Sequence, residues 1–507
     1  MVNTTTSASS ALHDTLLAKL RRSHLLGTVA GLLGWDEQVN LPPDSADQRA
    51  EQMALIAELQ HAAATDPEIG RLLDALEREG AALTADQRVN VREARRDYDR
   101  ATRLPAELVS EKARLTSAAY HAWAGARADN NFAAFAPFLE KHLDLARREA
   151  EALGWGDRPY DYAIDKHDPG MTCACITGLF DELKTGLVPL VRALDASPAA
   201  QAGAEAEARL SGFGVEAQQE FLTEVTTAIG FNYRRGRIDV SLHPFCEGAG
   251  ADIRMTTRFH EDKPLEALFS AIHETGHGLY EQGLPLPLQG TPLGQAAGMA
   301  VHESQSRLWE NQVARSRAFW RHFEPRYRGL FARQLDGISS DELYRAVNAV
   351  SPTLIRVEAD EVHYNLHILL RFEIERRLFA GDLVVRDLPG AWRALSQELL
   401  GLTPATDSEG VLQDIHWSGG AFGYFPSYCL GNMIAAQLWE TAQETSGLQA
   451  DFARGDFSRL LGWLRENVHA QGRRFTALEL VRHVTGSELS PAPLLAYLKN
   501  RYATLWL

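Results

Sequence analysis

The sequence predicts a mainly α-helical fold, one large helical body with a small β-sheet. Three observations carry that expectation. Apolar residues recur at the 3.6-residue helical period through most of the 507 residues. Strand-like alternation is confined chiefly to two short pieces, 235–245 and 252–259. Linker-like composition is scarce, and no internal repeat divides the chain.

Taken in order, the first ten residues, MVNTTTSASS, lack apolar patterning, so disorder is expected over 1–10 and one domain over 11–507. Helical period then runs through SALHDTLLAKLRRSHLLGTVAGLL, FAAFAPFLEKHLDLARREAEAL and EVHYNLHILLRFEIERRLF. Proline marks helix starts at Pro105 and at Pro264, the latter opening a helix that closes on Gly283. The two strand-like pieces are joined by the glycine-bearing CEGAGA, which predicts a hairpin or small sheet directly upstream of that helix. Residues 283–298, GLPLPLQGTPLGQAAG, read as a turn-rich loop.

Composition is that of an ordinary globular protein, 45% hydrophobic and 23% charged. Fifty-one basic against 67 acidic residues give a net charge of −16. A surface that acidic repels phosphate backbones and anionic lipid, so neither nucleic acid nor membrane is an expected partner. The cysteines Cys173, Cys175, Cys246 and Cys429 are too sparse for a disulfide framework and read as inert thiols in a reducing compartment. The N-terminus has neither a basic nor an apolar signal region. The longest uncharged apolar run, 25–35, is far short of the ~20 residues of a membrane span. A cytoplasmic location is expected.

One stretch carries chemistry. In AIHETGHGLYEQG, residues 271–283, His273 and His277 stand four apart on a predicted helix, so one face presents two imidazoles to a single ion. Glu274 points elsewhere around the helix, but it reaches far enough to act as general base on a water at that ion. H-E-x-x-H also arises by chance, and a zinc hydrolase needs a third protein ligand. Glu303, in GMAVHESQSRLWENQ, follows His277 by 26 residues, room for a loop and a returning helix. Spacing alone leaves His302 and Glu310 open as alternatives. A second i, i+4 pair, His363 and His367, lies in a strongly apolar helix without an adjoining glutamate and reads as core. His167 with Cys173 and Cys175 lacks a fourth ligand and reads as no metal site.

Five motifs then occur in one order: DIRMT (252–256), HETGH (273–277), HESQ (302–305), IRVEAD (355–360) and GVLQDIHW (410–417). This order resembles the carboxypeptidase Taq family of zinc metallocarboxypeptidases. WDEQVNLPPDSADQRAEQMALI near the N-terminus and FGYFPSYCLGN (422–432) extend the likeness to essentially the whole chain. Departures are modest: Val39, Leu41 and His363 stand where relatives commonly carry other residues.

The resemblance implies a helical body with a deep central cleft, usually a homodimer, that removes C-terminal residues from peptides with broad specificity. It implies one Zn2+ per chain, with Co2+ as an alternative ion, held by His273, His277 and Glu303, and Glu274 as the catalytic base. A carboxypeptidase must also hold a free α-carboxylate, which a guanidinium does best, so Arg356 is the first candidate and Arg254 the second. Arg254 is better suited to brace the sheet through Asp252, and the alternative for Arg356 is a structural ion pair with Glu358 or Asp360. The developing oxyanion needs a hydroxyl or an imidazolium, roles that suit Tyr424 and His416, with Tyr428 competing with Tyr424. His243 is placed to bond substrate backbone. Two rival functions are an oligopeptidase or dipeptidyl-carboxypeptidase on the same scaffold and a noncatalytic helical peptide-binding protein.

Overall fold

Helices begin where the sequence has a residue suited to a helix N-terminus. Pro67, Pro159, Pro198 and Pro264 occupy first helical positions, where a missing N–H costs nothing. The side chains of Asp66, Thr172, Ser197 and Ser316 each accept a hydrogen bond from a first-turn N–H. Pro105 stands just before the helix Ala106–Ala128, and Pro264 opens the helix Pro264–Gly283, as the sequence predicts. The computed structural model describes residues 8–445 and 447–507. Of the stretch expected to be disordered, residues 1–7 lie outside the described residues, and Ala8 opens the helix Ala8–Val39. The structure is 71% helical, about twice the usual share. The mainly helical fold class holds.

The described residues form two compact units. The first takes its residues from Met1–Arg103, Phe213–Ala297 and Ser446–Thr476. Here the helices Ala8–Val39 and Ala46–Ala64 pack side by side. Leu16 of the first of these helices, Ile69, Leu72, Leu73 and Leu76 of Pro67–Arg78 and Val91 of Ala85–Arg103 bury a small apolar core. The sheet has strands β1 (Gly236–Val240), β2 (Cys246–Ala249) and β3 (Asp252–Thr257) in the order β1-β3-β2. β1 runs parallel to β3 with Ile238 opposite Met255, and β2 runs antiparallel with Cys246 opposite Met255.

Of the two arrangements expected, the small sheet is therefore the one formed. The two strand-like pieces are parallel and cannot be a hairpin. Most of the glycine-bearing connector, Cys246–Ala249, is itself a strand whose backbone pairs with β3. β3 is thus central, and the helix Pro264–Gly283 packs on β3 and β2.

The second unit takes Leu104–Gly212, Gly298–Thr445 and Ala477–Leu507. Its axis is the helix Phe425–Gln443, apolar on every side and buried along nearly its whole length. Around it pack Met299–Arg307, Tyr364–Ala380, Ala477–Thr485 and Ala492–Leu498. Among the described residues no helix is long and apolar enough to cross a membrane.

Candidate active site

The helix Pro264–Gly283 is buried on most of its surface, and His273 and His277 are half-exposed in its middle. Their rings stand 4.9 Å apart, centroid to centroid, at 83°. Glu274 is 8% exposed. Burial, followed by the charges of Glu274, Glu281 and Glu247, pushes the Cys246 thiol well above its usual range, so this neighbour of the base stays protonated.

Glu303 lies on Met299–Arg307 and is 4% exposed. Its carboxylate accepts a 2.7 Å hydrogen bond from Nε of Arg307, one turn on. Arg307 in turn donates to Glu310 at 3.2 Å and lies 4.3 Å over the ring of Tyr364, which fixes its direction. Gly431 lets this helix sit close on Phe425–Gln443: a Cβ there would lie 2.6 Å from Cγ and 2.7 Å from Cβ of Glu303.

One ligand atom from each of His273, His277 and Glu303 lies within 4.8 Å of the other two. Two imidazoles and a carboxylate fit a divalent transition metal. Of the alternatives open in the sequence, Glu310 instead pairs with Arg307, and His302 does not join the cluster.

The rival pair is structural. His363 is wholly buried, with Nδ1 2.7 Å from Asp360 and Nε2 3.0 Å from Asp195. Burial alone would lower its pKa, but Asp360 and Asp195 overcome that and raise it to about 10. His367 is buried and kept neutral, chiefly by desolvation. His167 directs Nε2 toward the carbonyl of Phe422 at 3.3 Å and joins no metal cluster with Cys173 and Cys175.

Arg356 is 6% exposed, and its partner is neither Glu358 nor Asp360. Nε and Nη2 lie 2.9 and 2.8 Å from Oδ1 of Asp414, and Nη1 donates to Tyr364 Oη at 2.9 Å. Arg371, fully buried, donates through Nε to Oδ2 of Asp414 at 2.7 Å. Burial would raise the Asp414 carboxyl, but Arg371 and Arg356 hold it well below the usual carboxylate range. Two guanidiniums and one carboxylate leave one net positive charge.

His416 sits beside this cluster. Its Nε2 is 3.1 Å from Tyr428 Oη, and its ring lies 4.5 Å from Phe425 and 5.5 Å from Tyr424. Burial lowers its pKa to about 4, so near neutral pH it is a neutral imidazole, and the imidazolium option falls away. Burial likewise raises Tyr424 to about 12, which keeps its hydroxyl a donor. The rings of Tyr424 and Tyr428 stand 5.3 Å apart.

Arg254 forms a fork with Asp252, both bonds 3.0 Å, and lies 4.2 Å over Trp35. That is the bracing geometry. His243 is exposed on the loop between β1 and β2, where its carbonyl accepts from Ser241 Oγ at 2.6 Å.

Several partners escape sequence reasoning. Arg307 was findable, being four residues after Glu303 on a helix. Asp414, Asp168 and Glu375 were not, since their partners are distant in sequence.

The sequence profile of the family described as Carboxypeptidase Taq (M32) metallopeptidase matches residues 15–502. The chain is 43% identical to "Thermostable carboxypeptidase 1" of Thermus thermophilus over 98% of its own length and 99% of that protein. It is 36% identical to "Carboxypeptidase 1" of Bacillus subtilis, over 96% and 97% of the two chains. The crystal structure of the M32 carboxypeptidase from Deinococcus radiodurans R1 superposes with a TM-score of 0.92 at 44% identity, covering 98% of this chain and 99% of that one. The chain belongs to the carboxypeptidase Taq (M32) metallopeptidase family and is a metallocarboxypeptidase, a peptide hydrolase.

Proposed function

We propose that this protein is a zinc enzyme that releases C-terminal residues, with broad specificity, from peptides bearing a free carboxylate. The observation that carries the reading is the approach of ligand atoms of His273, His277 and Glu303 to within 4.8 Å of one another. These three would hold the ion. Bound zinc supplies Lewis acidity, acidifying water and polarising a carbonyl. The Glu274 carboxylate takes the proton from the attacking water and delivers it to the nitrogen of the departing amine. Arg356, carrying the excess charge of its cluster with Asp414 and Arg371, receives the terminal carboxylate and sets the register. Tyr424, with its hydroxyl protonated, donates to the developing oxyanion, and neutral His416 orients Tyr428 for the same end. His243 bonds the substrate backbone, whereas Arg254 braces β3.

One experiment separates this reading from its rivals: digestion of a peptide as free acid and as C-terminal amide, with and without a chelator. Single-residue trimming of the acid alone, abolished by chelator, is the expected result. Cleavage of both forms points instead to an endo-acting peptidase, and less than about one zinc per chain by elemental analysis overturns the metal assignment. We further propose one catalytic domain over 11–507, supported by the extent of the family match. A cytoplasmic location accords with four free thiols. The homodimer rests on the family resemblance, and sedimentation equilibrium tests it.

A further inference from the structure

The segment DKHDPG, 165–170, plays no part in the reaction described above, yet it sits where two of the reaction's elements begin. Asp168 is 1% exposed. Its Oδ1 accepts the N–H of Ala300 at 2.7 Å, and its Oδ2 accepts the hydroxyl of Ser427 at 2.5 Å. Ala300 lies in the first turn of Met299–Arg307, three residues before Glu303. Ser427 lies in the first turn of Phe425–Gln443, between Tyr424 and Tyr428.

Neighbouring groups repeat the connection. The carbonyl of His167 accepts the N–H of Met299 at 3.0 Å. The His167 ring stands edge-on to Tyr424 at 4.9 Å. Gly298, at φ 140°, closes the approach: a Cβ there would lie 3.1 Å from Asp168 Oδ1 and 3.3 Å from the carbonyl of His167. A carboxylate at this helix N-terminus satisfies an otherwise unpaired N–H and opposes the helix dipole. Among the described residues, however, no cation pairs with Asp168. A buried carboxylate held only by neutral donors carries a desolvation cost that its two hydrogen bonds must offset.

We propose that Asp168 is a positioning residue for the hydrolysis. It fixes the helix of Glu303 against the turn that carries Tyr424 and Tyr428, so the third metal donor and the tyrosine hydroxyls keep one spacing. This rests on the assignment of Glu303 and the tyrosines made above.

The test compares Asp168→Ala and Asp168→Asn in the full chain. Zinc affinity is measured by chelator competition, and kcat and KM on one free-acid peptide at saturating zinc. In Asp168→Ala, zinc should bind about 10-fold more weakly and kcat should fall at least about 10-fold, with KM within about twofold. Asparagine can accept from Ala300 and donate to Ser427, so Asp168→Asn should recover zinc affinity and kcat to within about threefold of the parent. Parental zinc affinity and kcat in Asp168→Ala, with only a lower melting temperature, would overturn the proposal. So would an asparagine variant as impaired as the alanine one. If Asp168→Ala does not fold, Ser427→Ala removes a single hydroxyl and should lower kcat about threefold or more; a parental kcat there overturns the proposal equally. Glu303→Ala keeps the two failures apart. Parental zinc affinity in Glu303→Ala defeats the ligand assignment itself, whereas a zinc-free Glu303→Ala beside an unaffected Asp168→Ala defeats only the role of Asp168.

Discussion

Glu274 and Arg356 carry separable parts of the reaction, and substitution pulls them apart. Glu274→Gln keeps the side-chain volume and removes the proton acceptor. Zinc content should stay near one per chain while kcat falls at least about 100-fold, the usual worth of a general base. Full activity would end the assignment of Glu274 as base. Arg356→Ala would leave Asp414 short of a partner and confuse stability with binding, so lysine is the sharper change. It keeps one charge but loses the planar fork. Arg356→Lys should lower kcat/KM for the free-acid peptide by about 1.5–3 kcal/mol, roughly 10- to 150-fold and chiefly through KM. An equal loss of any residual cleavage of the amide would show that Arg356 does not read the carboxylate. The histidine pair and its glutamate were legible in the sequence because the helical period alone fixes which way they face. The partner of Arg356 was not, since Asp414 stands 58 residues away and only the fold brings it near. The protonation state of His416 was equally hidden, because it is decided by burial among Phe425, Tyr424 and two arginines.

At the scale of elements, the placement of Glu303 depends on how closely two helices approach. A methyl group at Gly431 would meet Cβ of Glu303 at 2.7 Å, so the pair must part or Glu303 must turn. Overpacking of this kind costs about 1–3 kcal/mol. Gly431→Ala should therefore lower the melting temperature and also weaken zinc binding, read by chelator competition. Gly34→Ala is the matched control: it lies within Ala8–Val39 with nothing inside 4 Å of the added Cβ. It should be neutral or stabilising by about 0.5–1 kcal/mol. Equal zinc affinity in both variants would mean that helix spacing does not set the donor. Helix starts were legible here, because proline and small polar residues act locally. Strand order was not. Pairing is a long-range property, and Gly248 of CEGAGA belongs to an edge strand whose backbone pairs with β3, while Gly250 lies in the turn that follows.

Across the whole molecule, stability should carry a pH signature from one buried acid. Glu375 is fully buried and accepts from Tyr160 Oη at 3.0 Å, Trp417 Nε1 at 2.7 Å and the N–H of Gly423 at 2.8 Å. It thereby ties down both ends of the segment between His416 and Tyr424. Burial raises its pKa from 4.5 to about 7, against the pull of those donors. Below pH 4.5 both the folded and unfolded chains hold this proton. Between pH 4.5 and 7 only the folded chain does, so stability falls as pH rises through that window and the loss is complete above 7. The full span corresponds to about 3 kcal/mol. Glu375→Gln removes the titration and leaves one of the three donors facing an NH2 group, a cost of about 1–3 kcal/mol at every pH. Other groups titrate alike in both proteins, so the difference between them isolates Glu375. Denaturant unfolding of the metal-free chains at pH 5 and pH 8 should show the variant furthest below the parent at pH 5. The gap should narrow or reverse at pH 8. A gap that stays constant across that range would place the folded pKa of Glu375 near its ordinary value and make it a structural acceptor that is ionised throughout.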